Sequence, residues 1–427
     1  MPQKSLSVAK KPIKAEVSLP GSKSLSNRVL LIAALANGES VIENLPLSKD
    51  VLAAVGALKA LEVKHSFNKW EGKITILGGG GKFPKTNARI FCNEAGTLTR
   101  FIIPLCAAQE QGEYYIYAAS RMMARPIQSQ LQVLEAMGMK AIYEDVTHKL
   151  PITIKAQSLN QQGVLTIDGG QSSQFLSGLL MAAPFIKEGL VIKSNTDHPQ
   201  SYVDMTVQMM RDFGVRINVQ NHIYSVPAKQ CYQACHYVIE PDLSTASYFW
   251  ALAAITNGKM KVKHVKLNAK QGDIRFLEVL KMMGCQICEE QDGITVYGTD
   301  KLKGVTINMR NFSDTFMTVA AIACFAEGET HITGLAHTRL QESDRLSAMA
   351  EGLTRLGVKV KTTQDSIHIY PKESHLQSAE VDGHSDHRIA MSLALLGLVQ
   401  SEVIIKGAEC VSKTCPDYFE RMEKIIQ

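Results

Sequence analysis

The chain has 427 residues, long enough for two or three domains, with 45% hydrophobic and 20% charged residues as in ordinary globular proteins. Its 46 Lys and Arg exceed its 41 Asp and Glu by only five, which excludes binding of nucleic acid through overall charge. The apolar runs are shorter than the roughly 18 residues of a membrane span. We therefore expect no membrane partner. Nine cysteines without framework spacing predict reduced thiols in a cytoplasmic protein. We expect no metal site, because neither cysteine cluster has the four ligands that zinc needs.

A pattern of an apolar, helix-length run, a glycine or polar break, and a short β-rich segment recurs along the chain. The glycines at 38, 112, 189, 258 and 328 follow the first five runs, and each is predicted to end a helix in a left-handed conformation. The apolar runs occupy residues 29–37, 101–109, 175–187, 248–257, 318–327 and 389–399.

A second set of helix ends lies between these runs, before the glycines at 138, 214, 284 and 357, with a weaker copy at 58–63. Together the two sets predict an α/β protein of six units of about 70 residues, each with two helices and several strands. Pro20-Gly21 and Pro241 bracket three of the units. We therefore predict two lobes, residues 1–20 with 241–427 and residues 21–240, with a ligand site in the cleft between them.

Cations stand just before several of the apolar runs, beside residues that commonly cap helices. Lys23 and Arg28 precede the first run, Arg100 the second, and His387 and Arg388 the sixth. Cations oppose the positive end of the helix dipole, so capping by itself does not explain them. Backbone N–H groups and cations together favour phosphate or carboxylate, and we prefer such an anion site over capping alone.

Carboxylates accompany the cations. Asp314 and Glu342 lie in two such segments and can move protons. Several cations with nearby carboxylates suit a reaction between two anionic substrates.

At these residues the sequence resembles the EPSP (5-enolpyruvylshikimate-3-phosphate) synthase family of enolpyruvyl transferases, over nearly the whole chain. The order of the motifs makes the resemblance specific. The motifs are Pro20-Gly21-Ser22-Lys23-Ser24, Ala95-Gly96-Thr97 with Arg100, Arg121-Met122 with Arg125-Pro126, Ser172-Ser173-Gln174-Phe175, Gln271-Gly272-Asp273-Ile274-Arg275, Glu342-Ser343-Asp344-Arg345, Asp386-His387-Arg388 and Lys413-Thr414.

The resemblance implies an inside-out α/β barrel fold with pseudo-sixfold repetition, in which each of two lobes contains three βαβαββ units. It implies transfer of the enolpyruvyl group of phosphoenolpyruvate to the 5-hydroxyl of shikimate 3-phosphate, with release of phosphate, in chorismate and aromatic amino-acid biosynthesis. It also implies no cofactor, a monomer and a target for glyphosate. The rival hypotheses are an enolpyruvyl transferase with another anionic acceptor and a non-catalytic anion-binding paralogue.

The resemblance also implies roles for individual residues. The implied catalytic residues are Lys23, Asp314, Glu342 and Lys413. Implied contacts with shikimate 3-phosphate come from Lys23, Ser24, Arg28, Ser172, Ser173, Gln174, Asp314 and Gln341. Implied contacts with phosphoenolpyruvate come from Lys23, Gly96, Arg125, Gln174, Arg345, Arg388 and Lys413. Further candidates are Glu94, Thr97, His337, His387 and Tyr202.

Several positions depart from the family pattern. Gln341 stands where the family has lysine, so we expect one charge fewer at the acceptor and weaker acceptor binding. His337 replaces an asparagine, Glu94 places a carboxylate near an anion site, and Phe101 follows Arg100 where proline is common. The retained Gly96 predicts sensitivity to glyphosate, to a degree that Glu94 and Phe101 alter.

Overall fold

The computed structural model describes residues 3–9, 12–161, 163–168, 172–195, 200–399 and 402–426. None of the helices in these ranges is long and apolar enough to cross a membrane. The chain divides into two compact units. Unit 1 consists of residues 1–20 and 240–427, and unit 2 of residues 21–239.

The helices follow the predicted periodicity, and short 3-10 segments add to them at several ends. In chain order they are α1 (Lys23–Leu35), α2 (Lys49–Ala60), α3 (Gly96–Ala107), α4 (Ser120–Met123), α5 (Gln128–Ala136), α6 (Ser173–Ala182), α7 (Gln200–Asp212), α8 (Leu243–Thr256), α9 (Phe276–Met282), α10 (Phe316–Ala323), α11 (Arg345–Arg355), α12 (His387–Ala394) and α13 (Tyr418–Ile426).

Short strands alternate with the helices. In chain order they are β1 (Gln3–Lys4), β2 (Lys14–Val17), β3 (Asn37–Glu43), β4 (His65–Asn68), β5 (Lys73–Gly79), β6 (Asn87–Phe91), β7 (Gln111–Tyr117), β8 (Lys140–Tyr143), β9 (Ile152–Gln157), β10 (Leu165–Ile167), β11 (Leu190–Ser194), β12 (Asn218–Gln220), β13 (Ile223–Val226), β14 (His236–Val238), β15 (Lys259–Lys263), β16 (Gln286–Glu290), β17 (Gly293–Tyr297), β18 (Thr306–Asn308), β19 (Thr330–Thr333), β20 (Lys359–Thr362), β21 (Ile367–Tyr370), β22 (Ala379–Asp382) and β23 (Val403–Lys406). The predicted α/β class is confirmed.

The described strands form six small sheets, one for each predicted unit. In the sheet β6-β7-β9-β8, β6 and β7 are parallel and β8 and β9 form an antiparallel hairpin. Helix α3 connects the parallel pair, and α4 and α5 lead into the hairpin, which gives the order βαβαββ. The sheets β10-β11-β13-β12 and β18-β19-β21-β20 repeat this arrangement.

The other three sheets recruit a strand from a distant part of the chain. Strand β2 pairs in parallel with β15, and β14 pairs in parallel with β3, so each supplies the first strand of its sheet. In the sixth sheet, β22 and β23 are parallel, and β1 takes the third place by antiparallel pairing with β23. This last unit continues into α13 instead of a hairpin.

Six helices are buried almost all round, which explains why their sequences read as apolar runs instead of amphipathic stripes. In unit 2 they are α1, α3 and α6, and in unit 1 they are α8, α10 and α12. Each unit has its own hydrophobic core around its three helices. Packing along the whole length of each helix therefore fixes the position of its first turn.

The predicted glycine stops are confirmed for the second set and corrected for the first. Positive φ angles occur after α5, α7, α9 and α11, at Gly138, Gly214, Gly284 and Gly357. In the first set, Gly38 and Gly112 lie inside strands β3 and β7. Asn257, with φ of 50°, ends α8 in place of Gly258.

Gly189 combines a positive φ of 79° with close packing, because a Cβ atom there would lie 2.4 Å from the Val226 carbonyl oxygen. We expect Gly189→Ala to lower the free energy of unfolding by about 3 kcal/mol. The matched control is Gly80→Ala, at a similar φ of 59° with open space around the Cβ position, where we expect about 1 kcal/mol. Urea unfolding followed by circular dichroism measures both, and equal losses would contradict the packing argument.

Candidate active site

The buried helices begin earlier than predicted, inside the polar segments. Helix α1 begins at Lys23, six residues before its apolar run, and α12 begins at His387, two residues before its run. Ser22 caps α1 and Asp386 caps α12 through their side chains. None of the six has an acidic residue in its first turn. The first turns themselves therefore carry no carboxylate that would oppose the binding of an anion at these helix starts.

In unit 1, the Asp314 carboxylate lies between two arginines. Its Oδ1 atom accepts a hydrogen bond from Arg345 Nη1 at 3.0 Å, and its Oδ2 atom accepts one from Arg388 Nη2 at 2.7 Å. Both guanidinium groups are almost completely buried, and 17% of the Asp314 side chain is exposed. The arrangement brings an accessible carboxylate together with two cations that can bind a substrate anion.

Asp386 is a second carboxylate partner of Arg345, in addition to Asp314. Its Oδ2 atom accepts from Arg345 Nε at 2.8 Å and from Ser343 Oγ at 3.0 Å, and its Oδ1 atom caps α12 at the Arg388 amide. Burial acts to raise the pKa of Asp386, but the charge of Arg345 outweighs it and the pKa lies below its ordinary value. Asp386 therefore remains ionised and holds Arg345 in place.

Glu342 joins a lysine and a histidine. Its Oε2 atom is 3.0 Å from His387 Nδ1, and its Oε1 atom is 3.2 Å from Lys413 Nζ. The ligand atoms of Glu342, Asp386 and His387 lie close enough together to surround a metal ion. Because Lys413 and Arg345 already neutralise the two carboxylates, we assign no metal to this group.

Two of the departures from the family pattern lie beside this network. His337 Nε2 is 2.8 Å from Ser313 Oγ, and burial lowers the pKa of His337 to about 4, so the ring is neutral at physiological pH. The Gln341 side-chain oxygen accepts a hydrogen bond from Arg345 Nη1. Neither His337 nor Gln341 adds a positive charge here.

In unit 2, Arg100 organises the starts of α3 and α6. It donates to the Gln174 side-chain oxygen at 2.7 Å and to the Pro126 carbonyl at 3.1 Å, and Ser172 Oγ lies 3.5 Å from its Nη1 atom. The Gln174 amide nitrogen donates to Thr97 Oγ1 at 3.1 Å. These contacts fix which end of the Gln174 amide is the donor.

Arg125 approaches the same helix starts. A Cβ atom at Gly96 would lie 2.5 Å from Arg125 Nη1, so a side chain at position 96 would displace the guanidinium. Burial and the nearby charge of Arg125 hold the pKa of Arg100 below its ordinary value. Two neighbouring guanidinium groups repel one another, and an anion between them would remove that repulsion. Glu94 is half-buried shortly before α3.

Arg28 is held by neutral groups. It donates to Thr206 Oγ1 at 2.7 Å and to the carbonyl oxygens of Ser24 and Tyr202 at 2.8 and 3.0 Å, and it lies 4.9 Å from the centre of the Phe101 ring. Burial lowers the pKa of Arg28 to about 9, which leaves it charged at neutral pH. Phe101 therefore packs against a buried cation.

Lys23 has a carboxylate partner. Its Nζ atom lies 3.3 Å from Asp50 Oδ2, and both side chains are at least nine-tenths buried. Asp50 lies in the first turn of α2, whose N-cap is Ser48. A buried lysine at a helix start is thus neutralised from the neighbouring helix.

Several predicted site residues come together within each unit. One network of unit 1 contains Asp314, Gln341, Glu342, Arg345, His387, Arg388 and Lys413, with His337 beside it. In unit 2 the predicted residues form separate groups, around Arg100 with Thr97, Ser172 and Gln174, around Arg28 with Ser24 and Tyr202, and at Lys23. Ser173 is the buried first residue of α6.

Asp50 and Asp386 have no predicted site role, yet they hold other site residues in place. Arg100, predicted as one of the cations of an anion site, also positions Gln174. A signal for Asp386 exists in the sequence, because it directly precedes His387 and Arg388. Asp50 gave no such signal, since its partner Lys23 is distant in sequence and the contact depends on the packing of α1 against α2.

The fold and these groups define an α/β protein that presents cations and proton-accepting carboxylates at the starts of buried helices. The family model described as EPSP synthase (3-phosphoshikimate 1-carboxyvinyltransferase) matches residues 8–422. The chain belongs to this family.

Curated relatives with the same description cover almost the full length. The 3-phosphoshikimate 1-carboxyvinyltransferase of Nostoc punctiforme is 39% identical over 419 residues, which are 98% of this chain and 97% of the relative. That of Aliivibrio fischeri is 40% identical over 420 residues, or 97% of each chain.

Solved structures share the fold. EPSP synthase from Acinetobacter baumannii superposes with a TM-score of 0.84 at 25% identity, over 99% of this chain and 98% of the other. The enolpyruvyl transferase NikO from Streptomyces tendae gives 0.75 at 15% identity, over 99% and 96%. The predicted enolpyruvyl transferase fold is thereby confirmed.

Asp386→Asn removes the charge that neutralises buried Arg345. We expect it to lower the free energy of unfolding by about 3 to 5 kcal/mol, because breaking one side of a buried ion pair leaves the other charge unpaired. The matched control is Asp344→Asn, the N-cap of α11, whose half-exposed carboxylate pairs with Arg339. There we expect about 1 kcal/mol.

Urea unfolding at several pH values measures both variants. The lowered pKa of Asp386 means that its ionised form stabilises the fold above the unfolded pKa of about 3.9, and that this contribution disappears as the pH falls through the folded value. The difference between Asp386→Asn and wild type should therefore shrink below about pH 4. A difference that is constant from pH 7 to pH 3 would contradict this assignment.

Proposed function

We propose that this protein transfers the enolpyruvyl group of phosphoenolpyruvate to the 5-hydroxyl of shikimate 3-phosphate and releases phosphate, in the biosynthesis of chorismate and aromatic amino acids. The observation that carries the proposal is the network of unit 1. It places Asp314 between Arg345 and Arg388, and Glu342 between His387 and Lys413. Membership of the family supports the same substrates.

The chemistry needs proton transfer in both directions. As the 5-hydroxyl oxygen attacks C2 of phosphoenolpyruvate, it loses its proton to Asp314, while the C3 methylene gains a proton from the Glu342 and Lys413 side or from Lys23. The product of this step is a tetrahedral ketal phosphate. Removal of a proton from its methyl group then expels phosphate and restores the enol double bond. Asp314 and Glu342 have separate cation partners, which suits separate proton transfers.

The cations position the two anions. In the proposal Arg125, Arg345, Arg388 and Lys413 bind phosphoenolpyruvate, with Lys23, Gly96 and Gln174. Shikimate 3-phosphate contacts Lys23, Ser24, Arg28, Ser172, Ser173, Gln174, Asp314 and Gln341. The support is that Lys23 and Arg28 lie in α1 and Arg100 lies in α3, and neither helix has an acidic residue in its first turn. Glu94, Thr97, His337, His387 and Tyr202 remain candidate contacts.

Binding of the substrates in a cleft between the two lobes, a monomeric state and a cytoplasmic location stay predictions. The nine cysteines support the last of these, because all are free thiols and five of them are buried. The non-catalytic paralogue is less consistent with the retained Asp314, Glu342, Lys23 and Lys413, because binding by itself does not require groups that move protons.

A phosphate-release assay tests the activity. Wild type with phosphoenolpyruvate should release phosphate only when shikimate 3-phosphate is added. Asp314→Asn should lower kcat by about 10²- to 10⁴-fold, because the amide cannot accept the hydroxyl proton. The control Glu278→Gln changes an exposed carboxylate that pairs with Arg275 on the surface and should leave kcat unchanged. Release of phosphate without the acceptor, or full activity of Asp314→Asn, would overturn the proposal.

A second measurement addresses acceptor binding at Gln341. We expect Gln341→Lys to lower the KM for shikimate 3-phosphate by about three- to tenfold, because a charged hydrogen bond is gained. Gln341 contacts Arg345, so KM for phosphoenolpyruvate must be measured in parallel. An unchanged or higher KM for shikimate 3-phosphate would contradict the prediction that a positive charge is missing at position 341. If wild type used another anionic acceptor more efficiently, the hypothesis of an enolpyruvyl transferase with a different acceptor would be favoured.

A further inference from the structure

The motif Gln271-Gly272-Asp273-Ile274-Arg275 has no part in the proposed reaction, yet it buries a carboxyl group in unit 1. Asp273 lies in the 3-10 turn Gly272–Arg275 and is 4% exposed. Ser244 Oγ donates to its Oδ2 atom at 2.6 Å, and within the described part of the chain its Oδ1 atom has no hydrogen-bond partner. An ionised carboxylate in such a place is poorly satisfied, since it accepts only one hydrogen bond.

The charges that act on Asp273 come from neighbouring elements of unit 1. Asp314 comes from the 3-10 turn before α10, Asp242 from the N-cap of α8, and Arg388 from the first turn of α12. Arg275, of the same turn, instead pairs with Glu278. Asp273 thus has two like charges and one opposite charge nearby, and the opposite charge is an arginine that binds Asp314.

The cations of the unit 1 network are already matched by carboxylates. Arg345, Arg388 and Lys413 pair with Asp314, Asp386 and Glu342. Binding a substrate carboxylate or phosphate therefore adds negative charge to a buried cluster in which each of these cations already has a carboxylate partner. A buried group that gains a proton at the same moment offsets the added charge.

We propose that Asp273 is this group: it is a positioning residue that takes up a proton when a substrate anion binds at Arg388, and so keeps the guanidinium available to the substrate. The inference rests on the proposed function, because it assumes that Arg388 binds phosphoenolpyruvate. The proton comes from solvent on binding and returns to solvent when the anion leaves, so no bond of either substrate changes in this step.

The electrostatics fit this role. Burial, followed by the charge of Asp314, raises the pKa of Asp273 to about 7 in the absence of substrate. Below pH 7 Asp273 is neutral, and its carboxyl group does not attract the Arg388 guanidinium electrostatically. Above pH 7 the ionised carboxylate competes with the substrate for Arg388, so that phosphoenolpyruvate binds less well as the pH rises.

The test is the pH dependence of kcat/KM for phosphoenolpyruvate between pH 5.5 and 9, at saturating shikimate 3-phosphate. Wild type should decline above about pH 7, and Asp273→Asn should lack this decline, so that their ratio changes by about three- to tenfold between pH 6.5 and 8.5. The change should appear mainly in KM, with kcat nearly constant. Ionisation of phosphoenolpyruvate itself affects both proteins equally and cancels in the ratio.

Ser244→Ala is a second variant, which should shift the decline in kcat/KM along the pH axis instead of abolishing it. It removes the donor to the ionised carboxylate, so it should raise the pKa of Asp273 and move the decline to higher pH. The matched control is Asp344→Asn, which changes an N-cap aspartate that pairs with Arg339, and its profile should follow wild type. A decline that persists unchanged in Asp273→Asn, or that moves to lower pH in Ser244→Ala, would overturn the inference.

Thermal unfolding separates this inference from the proposed function. Without substrates, the melting temperature of Asp273→Asn minus that of wild type should be larger at pH 8.5 than at pH 5.5. The reason is that only wild type buries an extra negative charge at the higher pH. No acceptor-dependent activity in wild type, with this shift present, would reject the proposed function alone. Absence of the shift would reject the titration of Asp273, whatever the activity. Should Asp273→Asn not fold, the direction of the Ser244→Ala shift decides.

Discussion

Burial of cations at helix starts is the constraint on which the rest of the site depends. Arg345 is almost inaccessible to water and is the first residue of α11, where a positive charge is unfavourable. In unit 1, carboxylates neutralise this charge. Asp386 supplies one from the N-cap of α12 and Asp314 a second from the turn before α10, so the pairing ties three elements of unit 1 together.

The two units solve this problem in different ways. Unit 1 pairs its buried arginines with carboxylates, whereas unit 2 holds Arg28 and Arg100 with carbonyl oxygens, a hydroxyl, a side-chain amide and aromatic rings. Neutral partners leave the positive charge uncompensated, and burial then lowers the pKa of both arginines. Unit 2 is therefore prepared for anion binding, while unit 1 has the carboxylates that proton transfer requires. Lys23, which pairs with Asp50, departs from this pattern.

The repeat was predictable because it is local. A helix that is apolar all round, or a short β-rich segment, can be recognised within about ten residues of sequence. The sixfold pattern follows from counting these segments. Periodicity predicts the starts of α1 and α12 too late, because both helices begin in polar residues that it does not recognise. The prediction of Gly38 and Gly112 as helix ends is wrong, since a glycine in a strand and a glycine after a helix look alike in sequence.

By itself the sequence determined the α/β class, the six units and the cations that stand at the helix starts, because periodicity and residue type act over neighbouring residues. Only the tertiary structure decided which carboxylate meets which cation. Asp314 and Arg388 are 74 residues apart, and Arg345 and Asp386 are 41 apart, and their contacts depend on how three elements pack. The same holds for Asp273, whose burial beside Arg388 turns a polar residue of a motif into a titratable group. Electrostatic coupling depends on distance in space, and the chain order does not encode that distance.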